Sequence, residues 1–208
     1  MGKLNVTGHA KREVTADVVK IELEFMAEDK NATKALLAAT EQCEAFLGKL
    51  HAAGFDLGTI HLADDSVEHD SYSDDHEYAA MRKIEFKMPL EIKSYNAIVD
   101  MIRHEQYDIS LDTEYLVSNI QEIREELMQA AVLDSQRKAE KIAAAMKKKV
   151  VGCKEANLDR YYGNDALYGM KNAAPVCDCE PVGMTHSNKI QNPVVTEEKE
   201  VNVTWLIE

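Results

Sequence analysis

Ligand chemistry concentrates in two short stretches of this chain. Asp64-Asp65, Glu68-His69-Asp70 and Asp74-Asp75-His76-Glu77 crowd one connection. Carboxylate oxygens and imidazoles at that density are donors for a divalent cation. The glycine and ligand spacing of an EF-hand loop are missing, so no calcium motif is present. Clustered like charges ordinarily repel one another and stay hydrated. The stretch therefore reads first as a solvated hairpin tip and second as a weak metal site. The other stretch is Cys177-Asp178-Cys179 with His186 downstream, which places two thiols and an imidazole on one loop. Structural zinc favours C-x2-4-C pairs and four ligands. Only three donors are within reach here, so inert or oxidisable thiols come first, and a metal or regulated redox role second.

His9, His51, His61 and His104 fall on different elements, with no nucleophile or carboxylate at a telling spacing. Each reads as a surface or satisfied histidine. Tyr161, Tyr162 and Tyr168 flank a long loop and suit either half-buried caps at a sheet edge or a ligand wall. Gly163, Gly169 and Gly183 lack the strand-loop-helix context of a phosphate cradle. No residue is thus assigned a catalytic, cofactor-binding or metal-binding role, and no cofactor is expected.

The charge balance narrows the partners. Against 24 basic residues stand 37 acidic ones, a formal net charge of −13, and such a field repels phosphate backbones and anionic membrane surfaces. Nucleic acid is excluded as an expected partner. No stretch approaches the ~18 apolar residues of a membrane span, and Met1-Gly2-Lys3-Leu4-Asn5 lacks the apolar core of a signal peptide. The expectation is a cytoplasmic chain, or a periplasmic or exported one if Met1-Gly2 stands where a signal was removed. Cys43, Cys153, Cys177 and Cys179 form no disulfide framework.

The elements that must hold these residues follow from periodicity. Val19 to Phe25, Ile84 to Ile92 and Val201 to Ile207 alternate apolar and polar side chains, the mark of strands with one buried face. Asn5 to Val14 and Asp17 to Ala27 read as strands around a tight turn at Thr15-Ala16. Ala35, Leu36, Ala39, Cys43, Phe46, Leu47 and Leu50 line one face of a helix from Asn31 to Ala53, stopped by Gly54. Strands are expected over Thr59 to Glu68 and Tyr78 to Ile92, then a short helix from Ser94, a favourable N-cap, and a strand from Tyr107 to Val117. The longest helix runs from Asn119 to Lys147. Its Ala131, Ser135, Ala139 and Ala143 recur every fourth residue, leaving a ridge without bulk. A strand from Val150 to Tyr162, a long loop from Gly163 to Pro193 and a strand from Val195 to Ile207 complete the chain. The expected fold is α+β: a mixed, antiparallel-rich sheet backed by helices, in the order ββαββαβαββ, as one domain over residues 1–208. Two strand–helix–strand stretches, Asp17 to Glu68 and Tyr78 to Val117, raise an internal duplication.

Asn5-Val6-Thr7-Gly8-His9-Ala10 followed by Val14-Thr15-Ala16-Asp17-Val18-Val19-Lys20-Ile21 resembles the opening of the SIMPL domain family, with Ala16 in place of the usual proline. Tyr78-Ala79-Ala80 before Ile84-Glu85-Phe86 resembles that family's tyrosine-led strand. The Ala131, Ser135, Ala139, Ala143 ladder resembles its alanine-rich helix, and Val201-Asn202-Val203-Thr204-Trp205-Leu206 its closing strand. The resemblance implies a bacterial protein similar to periplasmic immunogenic and oxidative-stress-associated proteins, some of which form ring-like or channel-like oligomers and one of which associates with a signalling kinase. It implies no enzymatic activity. The leading expectation is a non-enzymatic homo-oligomeric scaffold or interaction protein linked to envelope or oxidative stress. The alternative is a metal-dependent or thiol redox enzyme built on the acidic connection or on Cys177 and Cys179.

Overall fold

The alternating segments form strands and the segments of helical period form helices, except that the run expected to continue as a strand to Ile92 ends at Pro89 and Ile92 opens a helix. The structure, a computed structural model, describes residues 1–69, 78–158 and 192–208. In chain order the elements are β1 (Gly2–Thr15), β2 (Val18–Asp29), α1 (Ala32–Ala52), β3 (His61–His69), β4 (Tyr78–Pro89), α2 (Ile92–Arg103), β5 (Ile109–Leu116), α3 (Ile120–Ala145), β6 (Val150–Leu158) and β7 (Val194–Ile207). The α+β class and the element order match the reading of the sequence. The strands, however, divide between two sheets, β1-β7-β6 and β3-β4-β2-β5. β1 and β2 therefore make no hairpin. The described residues fall into two compact units, and the chain passes from one to the other between Ala16 and Asp17.

The unit that begins at Asp17 is built on β2 and β4, antiparallel from Val18 opposite Pro89 to Asp29 opposite Tyr78. Val19, Ile21, Leu23 and Phe25 share one core with Ile84 and Phe86 of β4, with Cys43, Phe46 and Leu50 of α1, and with Tyr95, Ile98 and Val99 of α2. Both helices consequently cover the same sheet face. Side chains of this size each contribute about 1.5–3 kcal/mol on full burial. Ala35 and Ala39 meet Ala80, so the first turns of α1 lie close to the sheet. Exchanging β2-α1-β3 with β4-α2-β5 leaves the order β3-β4-β2-β5 unchanged. The duplication is thus present in the topology, a βαββαβ arrangement of the ferredoxin-like, split-βαβ type.

The helix ends show what the sequence made legible. Asn31 caps α1, its side chain accepting from the amides of Thr33 and Lys34. At the other end Gly54 takes a φ of +94°. Phe55 N–H then returns to Leu50 C=O and Gly54 N–H to His51 C=O, the two bonds of a Schellman close. α3 ends the same way with Lys147 at φ +57°, a conformation that glycine adopts more easily. Ser94 is not the cap of α2: the helix starts at Ile92 with Glu91 in that place, and the Ser94 hydroxyl donates back to the Glu91 carboxylate at 3.4 Å.

The other unit joins β1, β6, β7 and α3. β7 lies at its centre, paired with β1 from Gly2 opposite Ile207 to Thr15 opposite Val194 and with β6 on its other side. The terminal strand is therefore no edge, and among the described residues the edges of this sheet are β1 and β6. Val6, Val201, Val203 and Trp205 pack on Ala131 and Ala139. The ridge of small residues is the face α3 turns to the sheet: Ala131, Ser135, Ala139 and Ala143 are all fully buried. At the crossing point a Cβ on Gly8 would stand 1.9 Å from the carbonyl oxygen of Ala131 and 2.8 Å from the amide nitrogen of Ser135. Only glycine fits there. Ser135 fills the gap beside it, donating to the Val6 carbonyl at 3.2 Å and accepting from the Trp205 indole at 2.9 Å.

This seam sets opposite signs for two glycine substitutions. Gly8→Ala and Ala139→Leu should each cost about 1–3 kcal/mol through overpacking, whereas Gly48→Ala, with open space around it in α1, should stabilise by about 0.5–1 kcal/mol. Urea midpoints of the three variants against wild type decide it.

Candidate functional site

The residues singled out in the sequence do not converge. His9 stands on β1 with Nδ1 3.3 Å from Glu200 Oε2. His51 lies in the last turn of α1, His61 opens β3 and His104 follows α2, all exposed. Of the acidic connection, Asp64, Asp65, Glu68 and His69 lie on β3. Asp65 is engaged by the Arg82 guanidinium across the strand pair, at 2.6 and 3.4 Å, and the His69 ring packs at 4.7 Å from Tyr78. Asp70, Asp74, Asp75, His76 and Glu77 lie outside the described residues. So do Tyr161, Tyr162, Gly163, Tyr168, Gly169, Cys177, Asp178, Cys179, Gly183 and His186, and with them the expected loop up to residue 191. Among the described residues no group of three His, Cys, Asp or Glu side chains is placed to hold a metal ion, and no helix is long and apolar enough to cross a membrane.

The face of the β2–β4 pair turned away from α1 and α2 holds charge in an ordered form. Register sets Lys20 opposite Lys87 and Glu22 opposite Glu85, and like charges directly opposite destabilise a sheet. Lys20 and Lys83 resolve this through diagonal, same-strand and directly opposite carboxylates. Lys20 Nζ reaches Glu85 at 2.6 Å and Glu22 at 2.9 Å, while Lys83 reaches Glu24 at 3.3 Å and Glu22 at 3.8 Å. Burial alone would lower the Lys20 ammonium, but its hydrogen bonds to Glu85 and Glu22 outweigh that and hold it up at about 12. Elsewhere in this unit Tyr107 donates to the Gln42 carbonyl at 3.2 Å, and Glu105 pairs with Lys49. Burial, and then Glu105, push the Tyr107 phenol up to about 12. These charges fasten one element to another.

The face of the β1-β7-β6 sheet turned away from α3 has a different chemistry. The tripeptide Asn-Val-Thr occurs at Asn5-Val6-Thr7 and again at Asn202-Val203-Thr204. The antiparallel register brings the two copies together, Val6 opposite Val203 and each Asn opposite a Thr. Thr7 Oγ1 donates to Asn202 Oδ1 at 2.6 Å, and Thr204 Oγ1 to Asn5 Oδ1 at 2.9 Å. Asn157 of β6 lies opposite Asn202 and donates to Glu155 at 3.2 Å. Together they line a shallow depression of about 270 Å³. Its amides and hydroxyls both donate and accept, and none of the lining residues titrates near neutral pH. Such a surface suits hydrogen bonding to a neutral polar partner and offers no acid, base or nucleophile of matched strength. The repeated tripeptide was the available signal in the sequence. Its meaning depends on a pairing between the two ends of the chain.

The two described cysteines differ sharply. Cys43 is buried in the α1 core and burial pushes its thiol up, whereas Cys153 is exposed on β6. Both are free. Brief alkylation of the native protein should label Cys153 well before Cys43, whose labelling should require unfolding. Mass spectrometry reads the order, and early labelling of Cys43 would contradict the placement of α1. A second test is alkaline. Lys20 rises from 10.5 and Tyr107 from 10.0, each to about 12. Both bind their protons more tightly in the folded state, so their stabilisation is complete below pH 10 and is lost as the pH climbs to about 12. The urea midpoint should fall across that window. The difference between wild type and Lys20→Met should shift there in favour of the variant; a constant difference would contradict the pairing.

A family model described as SIMPL, Protein of unknown function (DUF541), matches residues 4–205, nearly the whole chain. The chain belongs to the SIMPL family. No curated protein matches it.

Proposed function

We propose that this SIMPL-family chain is a non-enzymatic interaction protein, working as a homo-oligomeric scaffold in the envelope or oxidative-stress role that its family resemblance implies. The observation that carries this reading is the Asn-Val-Thr pair. Two identical tripeptides at opposite ends of the chain are brought into register and spend their side chains on a flat, neutral array of amides and hydroxyls. The side chains are held by one another before any partner arrives, which lowers the entropy lost on association. In a chain of net charge −13, the side chains lining this patch are uncharged, with the Glu155 carboxylate at its border, which limits like-charge repulsion between two copies that meet there.

Light scattering at micromolar concentration tests the reading directly. Wild type should exceed its monomer mass, and Asn5→Asp with Asn202→Asp, which sets two negative charges on the array of each copy, should return it to the monomer. A strictly monomeric wild type would overturn the scaffold. An unchanged oligomer in the double variant would move the contact away from this face, and a stoichiometric copurifying metal would count against the non-enzymatic reading.

A further inference from the structure

Among the described residues β1 is an edge strand, and its ladder with β7 runs without a register shift from Gly2 to Thr15. Just past its end the Ala16 amide donates to the Pro193 carbonyl at 2.8 Å. That bond fixes the phase: even-numbered residues of β1 turn their N–H and C=O toward β7, and odd-numbered ones turn theirs outward. Outward groups on a regular edge are a template for an incoming strand. β6, the other edge, is interrupted twice, between Val150 and Gly152 and between Cys153 and Glu155. Such bulges blunt an edge. β1 has none.

The middle of β1 is occupied in another way. Because α3 crosses directly at Gly8, its side chains on that flank reach the outward groups on either side of Gly8. The His9 N–H donates to Asp134 Oδ2 at 3.1 Å, and Lys138 Nζ donates to the Thr7 carbonyl at 3.1 Å. The same two side chains pair with each other at 2.7 Å, four residues apart on the helix. When a parallel strand is added to a sheet, each hydrogen-bonding residue of the newcomer accepts from the N–H after a given residue of its neighbour and donates to the C=O before it. With Gly8 as that residue, the Asp134 carboxylate stands where the newcomer's carbonyl would be and the Lys138 ammonium where its amide would be.

We infer that the Asp134–Lys138 pair is a side-chain substitute for one residue of a fourth strand, and that it closes the centre of the β1 edge against strand addition by another chain. The Lys138 ammonium and the His9 amide also hold the Asp134 carboxyl below the usual carboxylate range, so the acceptor stays ionised wherever the protein is near neutral pH. Arg137, 3.7 Å from Asp134 and largely exposed, touches neither backbone group and supplies a control.

An ordinary surface pair of this spacing changes stability slightly and association not at all. The test therefore reads association, as the mass of each variant relative to wild type over a range of concentrations, whatever the mass of wild type proves to be. It stands apart from the assembly proposed above: a monomeric wild type would overturn that scaffold and leave this inference intact. Asp134→Ala with Lys138→Ala should raise the mass with concentration and speed exchange of the His9 amide in dilute solution. Asp134→Asn with Lys138→Arg retains an acceptor and a donor and should match wild type, as should Arg137→Ala. Trp205 emission reports that each variant is folded. An alanine double variant with the mass of wild type at every concentration would overturn the inference. So would association of Arg137→Ala or of the Asn/Arg variant to the same degree, since either would trace the effect to lost surface charge.

Discussion

Where α3 crosses β1 there is space for one hydrogen atom and no more. Gly8 supplies it, and the Ala131 carbonyl comes down onto the strand at a distance that any side chain would prevent. Close approach of two backbones increases dispersion contacts and leaves little room for misfit. It also brings polar backbone groups under the helix, where each must find a partner. Ser135 answers for the Val6 carbonyl and for the Trp205 indole with one hydroxyl. Ala131, Ala139 and Ala143 keep the rest of the ridge thin enough for the same approach along the whole crossing. The outer face of the sheet inherits its order from this seam. With Val6 and Val203 turned to the helix, the flanking Asn and Thr side chains are obliged to meet one another on the other side.

In the unit built on β2 and β4 the polar groups serve a comparable purpose. Cross-strand register alone would set like charges together at two places, and Lys20 relieves that by pairing diagonally with Glu85, while Lys83 pairs with Glu24 directly opposite it. The Arg82 fork on Asp65 ties β4 to the β3 edge, and Tyr107 ties the segment after α2 to α1. Among the described residues, Lys20, Lys83, Arg82 and Tyr107 are engaged in joining elements. The neutral Asn/Thr array is a surface whose hydrogen-bonding capacity faces outward, which is why the functional proposal rests on it.

Much of the architecture could be read from the chain. Period-two and period-3.6 patterns located β2, β4, β7 and the helices because one face of each is buried, and the ladder at Ala131, Ser135, Ala139 and Ala143 marked the thin ridge that α3 turns to the sheet. The division into two sheets was not legible. Alternation says which side of a strand is apolar and nothing about which strand lies beside it, so β1 and β2, adjacent in sequence, read as neighbours although β1 pairs with β7. Ser94 misled because cap preference is a local signal, and the helix had already begun at Ile92. The candidate array escaped notice for the same reason as the sheet division. Asn5 and Thr204 become one site only through a pairing that spans the chain.

The seating of α3 on its sheet is reported most directly by the buried hydrogen bond between the Trp205 indole and Ser135. Hydrogen exchange of the Trp205 Nε1 proton, followed by NMR in native buffer, measures how often that seam opens. The account predicts protection as strong as that of the slowest backbone amides of β7, because α3 must leave the sheet before solvent reaches the indole. Exchange at the rate of a free indole would contradict it, and would mean that α3 is not seated on Gly8 and Ser135 as described.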